Sequence, residues 1–274
     1  VKVRRWDSEF GGDLNAAHNI TLQGRRHVAF LNSDAMGKSL QGAGGALVMG
    51  ALFQSIIQRT ITAPNERRQY PEKWLKNTFV ELHRVFQSFD GTMLTSATLG
   101  LIDEENGMMY FINAEHPYIV LFRDKEASFL EDRTYFRKLG TTLANGSIFV
   151  QTFQLEPGDV IITGSDGRDD LVVGHNEKGD RIMLEDELHF LRCVEKGYGE
   201  LNRTVEALGE KGELSDDLGL IRVEYMGGEE VRKNGLPEQT EQFHELPVPL
   251  RTIRSLEKVQ DLYESYPDNV GVLK

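Results

Sequence analysis

The strongest constraint in this chain is a figure it makes twice: an apolar, strand-like run that ends by delivering an aspartate. HVAFLNSDAMGKS, residues 27–39, passes through four apolar residues and arrives at Asp34. DVIITGSDGRDD, residues 159–170, does the same and arrives at Asp166. Removing even one ionised carboxylate from water is expensive without a partner, and like charges brought together repel. If the two strands lie in facing sheets, both acids emerge at one edge, and that edge needs cations.

The surrounding pattern is rich in strands. VKVRRWD (1–7), HNITL (18–22) and the run ending at Asp34 come first. A helical segment follows from about Gly44 to Arg59, then a second over 70–89, with Pro71 suited to its first turn. TSATLGLID, GMMYFINA, YIVLFR, SIFVQTFQLE and DVIITGS read as further strands. Asn106-Gly107 marks a hairpin turn, because Asn-Gly tolerates positive φ, and Pro157-Gly158-Asp159 marks another turn. MLEDELHFLRCVEK and LNRTVEALGEK read as shorter helices, and DLGLIRVEY as the closing strand. Paired helices inserted between groups of strands predict an α+β fold of two antiparallel sheets faced by helices, not a doubly wound parallel sheet.

Four acids stand where a strand ends or a tight turn begins: Asp13 in FGGDLN, Asp34 in NSDAMG, Asp166 in GSDGRD and Asp216 in LSDDLGL. Small neighbours at each let a metal or a phosphate approach the backbone. Singly, each is an ordinary turn acid. Together, oxygen ligands without nearby His or Cys favour hard ions, magnesium or manganese.

These motifs, in this order over residues 1–225, resemble the metal-dependent PPM protein phosphatases, in particular the bacterial SpoIIE-like serine phosphatase branch. EFGGDL is similar to the family's Gly-Gly-Asp motif, and NSDAMGKSLQGAGGAL to its Asp-x-x-Gly-His-Gly-x-x-Ala segment. INAEHP, GSDGRDD and SDDLGLIRV are similar to Asn-Ala-Gly-His-Pro, Ser/Thr-Asp-Gly-x-x-Glu and Asp-Asp-x-Thr. The resemblance implies a four-layer αββα sandwich with two Mg2+ or Mn2+ ions at one edge. It implies that Asp34 bridges the ions and that the Ala35 carbonyl binds one of them. Asp166 and Asp216 hold the other, and Asp13 lies beside the first, with Asp217 orienting Asp216. The implied reaction is hydrolysis of phosphoserine or phosphothreonine by a bridging water that the metals activate. The implied substrate is a phosphorylated regulator of the anti-anti-sigma type. The rival reading is a catalytically weak or inactive regulatory module with the same fold.

The chain departs from the family pattern in several places. Ala16 stands where a second aspartate is common, Lys38 replaces a histidine, and Glu115 replaces a glycine. Arg168 replaces an apolar residue, Asp170 a glutamate and Gly219 a threonine. None of these removes an expected ligand. His116 is expected to be structural. The helix pair after Asp34 has two readings, a core pair whose glycines pack closely or, by the resemblance, a movable element that assembles the site.

Composition closes off other classes. A formal net charge of -12 argues against nucleic acid as partner. Cys193 is the only cysteine, so an intrachain disulfide and thiolate-rich zinc sites are out, and it is expected to be buried. No apolar run approaches bilayer length, GGALVMGALF being the nearest, so no membrane contact and a cytoplasmic setting are expected. A homodimer is compatible with all of this. Residues 226–250 read as a polar linker, and 251–274 as a helical segment faintly similar to the start of a helical repeat.

Overall fold

The computed structural model describes residues 11–37, 40–141 and 148–228. The strand expected over 1–7, Lys38, and the linker and helix expected beyond 228 lie outside the described residues. The first half runs β1 (Asp13–Leu22), β2 (Arg25–Ala35), α1 (Leu40–Thr62), α2 (Pro64–Arg67), α3 (Pro71–Gln87), β3 (Thr95–Asp103), β4 (Met108–Ala114) and β5 (Val120–Arg123). It continues with β6 (Glu126–Phe129), β7 (Gln151–Gln154), β8 (Val160–Gly164), β9 (Leu171–His175) and β10 (Arg181–Met183). α4 (His189–Lys196), α5 (Leu201–Gly209), β11 (Glu213–Leu214) and β12 (Leu220–Glu224) complete it.

The strands form two large sheets, in the orders β1-β2-β3-β4-β7 and β12-β8-β5-β6, and a small one, β10-β9-β11. Alternation along each strand explains the layers. On β2, Ala29 and Leu31 meet Met49 and Phe53 of α1 and Phe79 of α3, whereas Phe30 faces Ile119, Leu121 and Ile161 across the sandwich. On β8, Val160 and Ile162 turn outward to Phe190 of α4 and Leu208 of α5, whereas Ile161 turns inward. Both strands are therefore covered on both faces, which is why their apolar runs are unbroken. The result is an α+β sandwich with helices outside each large sheet.

α3 buries Trp74, Leu75, Thr78, Phe79, Leu82 and Phe86, the stripe of an amphipathic helix. Trp74 Nε1 donates to Thr60 Oγ1 at 2.8 Å, tying α3 to α1. α1 corrects one expectation: at 23 residues it is, by length and composition, apolar enough to cross a membrane. Its only charged residue is Arg59, and Ala, Gly and Leu occupy its outer side as well as its inner one. Its inner face, through Met49, Phe53, Ile56 and Ile57, belongs to the core over the first sheet.

Two further boundaries differ from the sequence pattern. MLEDEL is not helical: Met183 pairs with Val172 in the small sheet, and Asp186 then accepts hydrogen bonds from Leu188 N and His189 N, so α4 begins only at His189. Of the strand expected over 147–156, the described residues form a strand only over Gln151–Gln154, the stretch that β4 pairs. Cys193 is buried in α4.

Candidate active site

Antiparallel pairing places Asp13 opposite Asp34, and on the other side of β2 places Ser96 of β3 opposite Asp34. In the facing sheet β8 ends at Gly164, and the chain enters a single 3-10 turn, Asp166–Arg168. β12 pairs Leu220 with Gly164, which sets the loop carrying Asp216 and Asp217 beside that turn. Ser165 joins the sheets. Its N donates to Gly219 O at 2.9 Å, its Oγ accepts from Gly219 N at 2.9 Å, and the same hydroxyl donates to Asp13 Oδ2 at 2.6 Å. Asp13, Asp34, Asp166 and Asp216 thus meet at one edge of the sandwich, together with Asp217.

Two close approaches fix the backbone there. A Cβ on Gly12 would sit 2.4 Å from the Ala35 carbonyl oxygen and 3.0 Å from Asp34 Oδ1, and one on Gly42 would sit 3.2 Å from that same carbonyl. A Cβ on Gly167 would sit 1.9 Å from the Asp217 carbonyl oxygen, so the residue after Asp166 must be glycine. Close packing is therefore the role the structure gives Gly42, and Gly45, whose added Cβ would meet the Ala35 side chain at 2.5 Å, shares it.

The carboxylates feel one another. Burial, followed by the charges of Asp34, Asp217 and Asp166, pushes Asp13 up to about 7 against the pull of its Ser165 hydrogen bond. Burial and the charges of Asp34, Asp170 and Asp216 push Asp166 up to about 6. Asp34 is raised by burial and then by Asp216 and Asp217, and Asp170 by burial and by Asp169 and Asp216. Among the described residues, Lys138 is the cation that opposes these shifts at Asp34 and Asp166.

Such an edge fits hard divalent ions by its donor set, which is all oxygen, and by its unbalanced charge. Among the described residues no group of three or more His, Cys, Asp or Glu side chains is arranged to hold one metal ion. An ion here would take carboxylates in ones and twos, completing its shell with carbonyl oxygen and water, as Mg2+ commonly does. Both members of the Asp-Asp pair act on the edge, Asp216 on Asp34, Asp166 and Asp170 and Asp217 on Asp13 and Asp34, and the Asp217 N–H donates to Asp216 Oδ1 at 2.9 Å.

His116 is held inside the fold. Its ring bonds Ser96 Oγ at 2.9 Å through Nδ1 and Asn32 Oδ1 through Nε2. Asn32 in turn reaches Asn15, Gly219 O and Thr163. Full burial, with Arg168 and Lys138 nearby, pushes the imidazole down to about 3, so it stays neutral, with both ring nitrogens taken up inside the fold. Glu115, in the family's glycine position, takes φ +50°, the left-handed conformation that glycine adopts freely. Arg168 is buried, its guanidinium 4.5 Å from the Phe190 ring and 6.0 Å from that of Phe129, with Nη2 on Tyr118 O at 2.8 Å. A cation stacked on aromatic rings takes the place of the family's apolar residue. Beside the edge opens a cleft of about 680 Å3, lined in part by Tyr118, Phe129, Asp170, Leu184 and Leu188.

Sequence reasoning missed Ser165, Asn32 and Lys138. The Ser-Asp step that recurs in both strands includes Ser165 but does not mark it apart from its aspartate. Nothing local marks Asn32 or Lys138, whose partners come from distant elements.

The family described as Stage II sporulation protein E (SpoIIE) matches residues 24–225. No curated protein sequence matches the chain. Among solved structures, the RsbU and RsbW domains of a Mycobacterium tuberculosis protein are similar at TM-score 0.58 and 18% identity, over 82% of this chain and 59% of that one. The PP2C phosphatase domain and regulatory fragment of SpoIIE from Bacillus subtilis are similar at TM-score 0.55 and 16% identity, over 78% of this chain and 56% of that one. RsbX, solved in complex with magnesium, is similar at TM-score 0.52 and 13% identity, over 80% of this chain and 89% of that one. This chain therefore spans less than two thirds of the first two proteins, and at these identities the likeness establishes the fold.

Proposed function

The chain belongs to the SpoIIE family, and from that premise we propose that its acidic edge is the active site of a metal-dependent serine/threonine phosphatase. One observation carries the reading: half-buried Asp13, Asp34 and Asp166 are brought together with Asp216 and Asp217 from both sheets and raise one another's proton affinity. Acids that merely decorate a surface would not be gathered so.

Asp13, Asp34, Asp166 and Asp216, with the Ala35 carbonyl, would hold two Mg2+ or Mn2+ ions. When bound, such ions polarise a phosphoryl group and activate water at neutral pH. The protein's own groups set the geometry. Ser165 fixes the Asp13 carboxylate by its hydroxyl, and the Asp217 N–H fixes Asp216. Neutral His116 braces Asn32, and Asn32 reaches Gly219 O in the loop that Ser165 holds. The cleft along Tyr118 and Leu188 offers room for protein flanking the phosphorylated residue. The substrate we propose is a phosphorylated regulator of the anti-anti-sigma type. SpoIIE membership and the RsbU-containing neighbour support that class.

The test is Mn2+-dependent hydrolysis of p-nitrophenyl phosphate and of a phosphoserine protein, with Asp34→Ala and Asp166→Ala as controls. Activity that survives both substitutions would overturn the site assignment. Absence of activity on any phosphoprotein would favour a binding module with this fold.

A further inference from the structure

Of the cationic side chains near the acidic edge among the described residues, one is neither paired nor fully buried. Lys138 lies on a strap of chain, Phe136–Gly140, pinned across the end of the first sheet. Phe136 bridges to Ala114, and Leu139 exchanges hydrogen bonds with Thr95 at 3.2 and 2.8 Å. Thr95 is the register partner of Ala35, and Ser96 that of Asp34, so the strap crosses where β2 delivers its acid. Phe136 and Leu139 are buried, Arg137 is exposed and reaches Glu115 at 3.6 Å, and Lys138 is half-buried. The strap turns away at Gly140, whose φ of +91° places it against Met93 O and Phe86 O.

Among the described residues, the Lys138 ammonium has no hydrogen-bond or ion-pair partner, and its neighbour Leu139 is bonded to Thr95 at the end of the sheet where β2 carries Asp34. Arg168, the other cation acting on His116, is spent on Asp169 and Tyr118 O. Charge completes the case. Two divalent ions would leave five carboxylates still net negative, and a phosphomonoester brings roughly two more negative charges. An ammonium held beside the edge, but not docked on a carboxylate, is placed to offset that addition.

We propose that Lys138 is a substrate-binding residue that receives a phosphoryl oxygen of the phosphorylated serine or threonine. The inference rests on the phosphatase reading and identifies the side chain that recognises the phosphate at that site.

The experiment uses the full chain with Mn2+, comparing wild type with Lys138→Met, which keeps the stem, and Lys138→Arg, which keeps the charge. Inorganic phosphate binding is read by calorimetry, KM and kcat with p-nitrophenyl phosphate, and Mn2+ affinity separately. Lys138→Met is expected to weaken phosphate about tenfold and to raise KM by a similar factor, with kcat and Mn2+ affinity little changed and Lys138→Arg restoring most of the loss. Unchanged phosphate affinity in Lys138→Met overturns the proposal. So does a change in Mn2+ affinity that accounts for the phosphate effect, which would make Lys138 a charge balance for the carboxylates. A wild type that binds phosphate through Lys138 yet hydrolyses no ester would sink the phosphatase reading and leave the anion site standing. A wild type that binds no phosphate overturns both.

Discussion

β2 meets acid at both of its ends, and the two ends are built differently. At its start, Asp103 of β3 stands opposite His27 and is almost wholly buried, yet it comes with its own partners. Arg25 Nη1 lies 3.1 Å away, and the backbone N–H groups of Glu105 and Asn106 donate to the carboxylate at 2.9 and 3.3 Å. At the finish, Asp34 faces another carboxylate, Asp13, and among the described residues no cation docks on it. A buried acid that only holds a fold together is matched by internal donors, because leaving it unmatched costs stability. An edge that gathers acids without matching them keeps that cost until something from solution removes it. The difference separates a structural carboxylate from one that awaits a ligand.

That contrast can be broken from either end. The largest expected effect is at the finish: Asp34→Ala should lower Mn2+-dependent phosphoester hydrolysis by at least about a hundredfold. The same substitution should leave the cation-free protein as stable as wild type or more so, measured by thermal melting, because it removes a repelled charge. Asp103→Ala should do the opposite, costing about 2–3 kcal/mol in denaturant titrations through the stranded turn N–H groups and Arg25, while kcat stays close to wild type. Asn32→Leu belongs with Asp103, since it strands His116 and Gly219 O, and is expected to cost about 2–3 kcal/mol.

Acidity sharpens the comparison further. Asp13 and Asp166, pushed up to about 7 and about 6, bind protons more tightly in the folded chain than in the unfolded one. Without cations they weaken the fold as pH rises from the ordinary carboxyl range, 3.8, towards about 7. Mn2+ should therefore raise the melting temperature more at pH 8 than at pH 6, where it must displace protons. Asp166→Ala should reduce that pH dependence, and a shift equal at both pH values would contradict it. The smallest effect is expected in the hairpin that presents His116. Glu115→Gly should be neutral or stabilising by about 0.5 kcal/mol, by relieving the left-handed backbone at the family's glycine position.

The parts of this molecule that were legible in the sequence are those that burial writes into composition. β2, β3, β4 and β8 are apolar in near-continuous runs because helices cover one face of each sheet and the other sheet covers the second face. α3 was legible from its stripe. The small β10-β9-β11 sheet was not, because Arg181, Ile182 and Met183 are all exposed and leave no hydrophobic signature. α4 starts later than its periodicity suggests because Asp186 accepts the hydrogen bonds of a turn there, and periodicity does not register such a turn. At the site, Asp13, Asp34, Asp166 and Asp216 were marked by turns and by family pattern. Ser165, which holds Asp13, and Asn32, which reaches Gly219 O, owe these contacts to partners more than a hundred positions away, which no local pattern encodes. Lys138 is the same case, set beside Asp34 by a bridge from Leu139 to Thr95.

The central claim, that the finish of β2 is an acid edge completed by cations, is tested most directly by calorimetric titration of the protein with Mn2+ at pH 8. The account predicts binding of two ions to wild type and to Asp103→Ala, and loss of at least one of them in Asp34→Ala and in Asp166→Ala, each still folded by circular dichroism. Absence of binding to folded wild type, or the same stoichiometry and affinity in all four proteins, would contradict it.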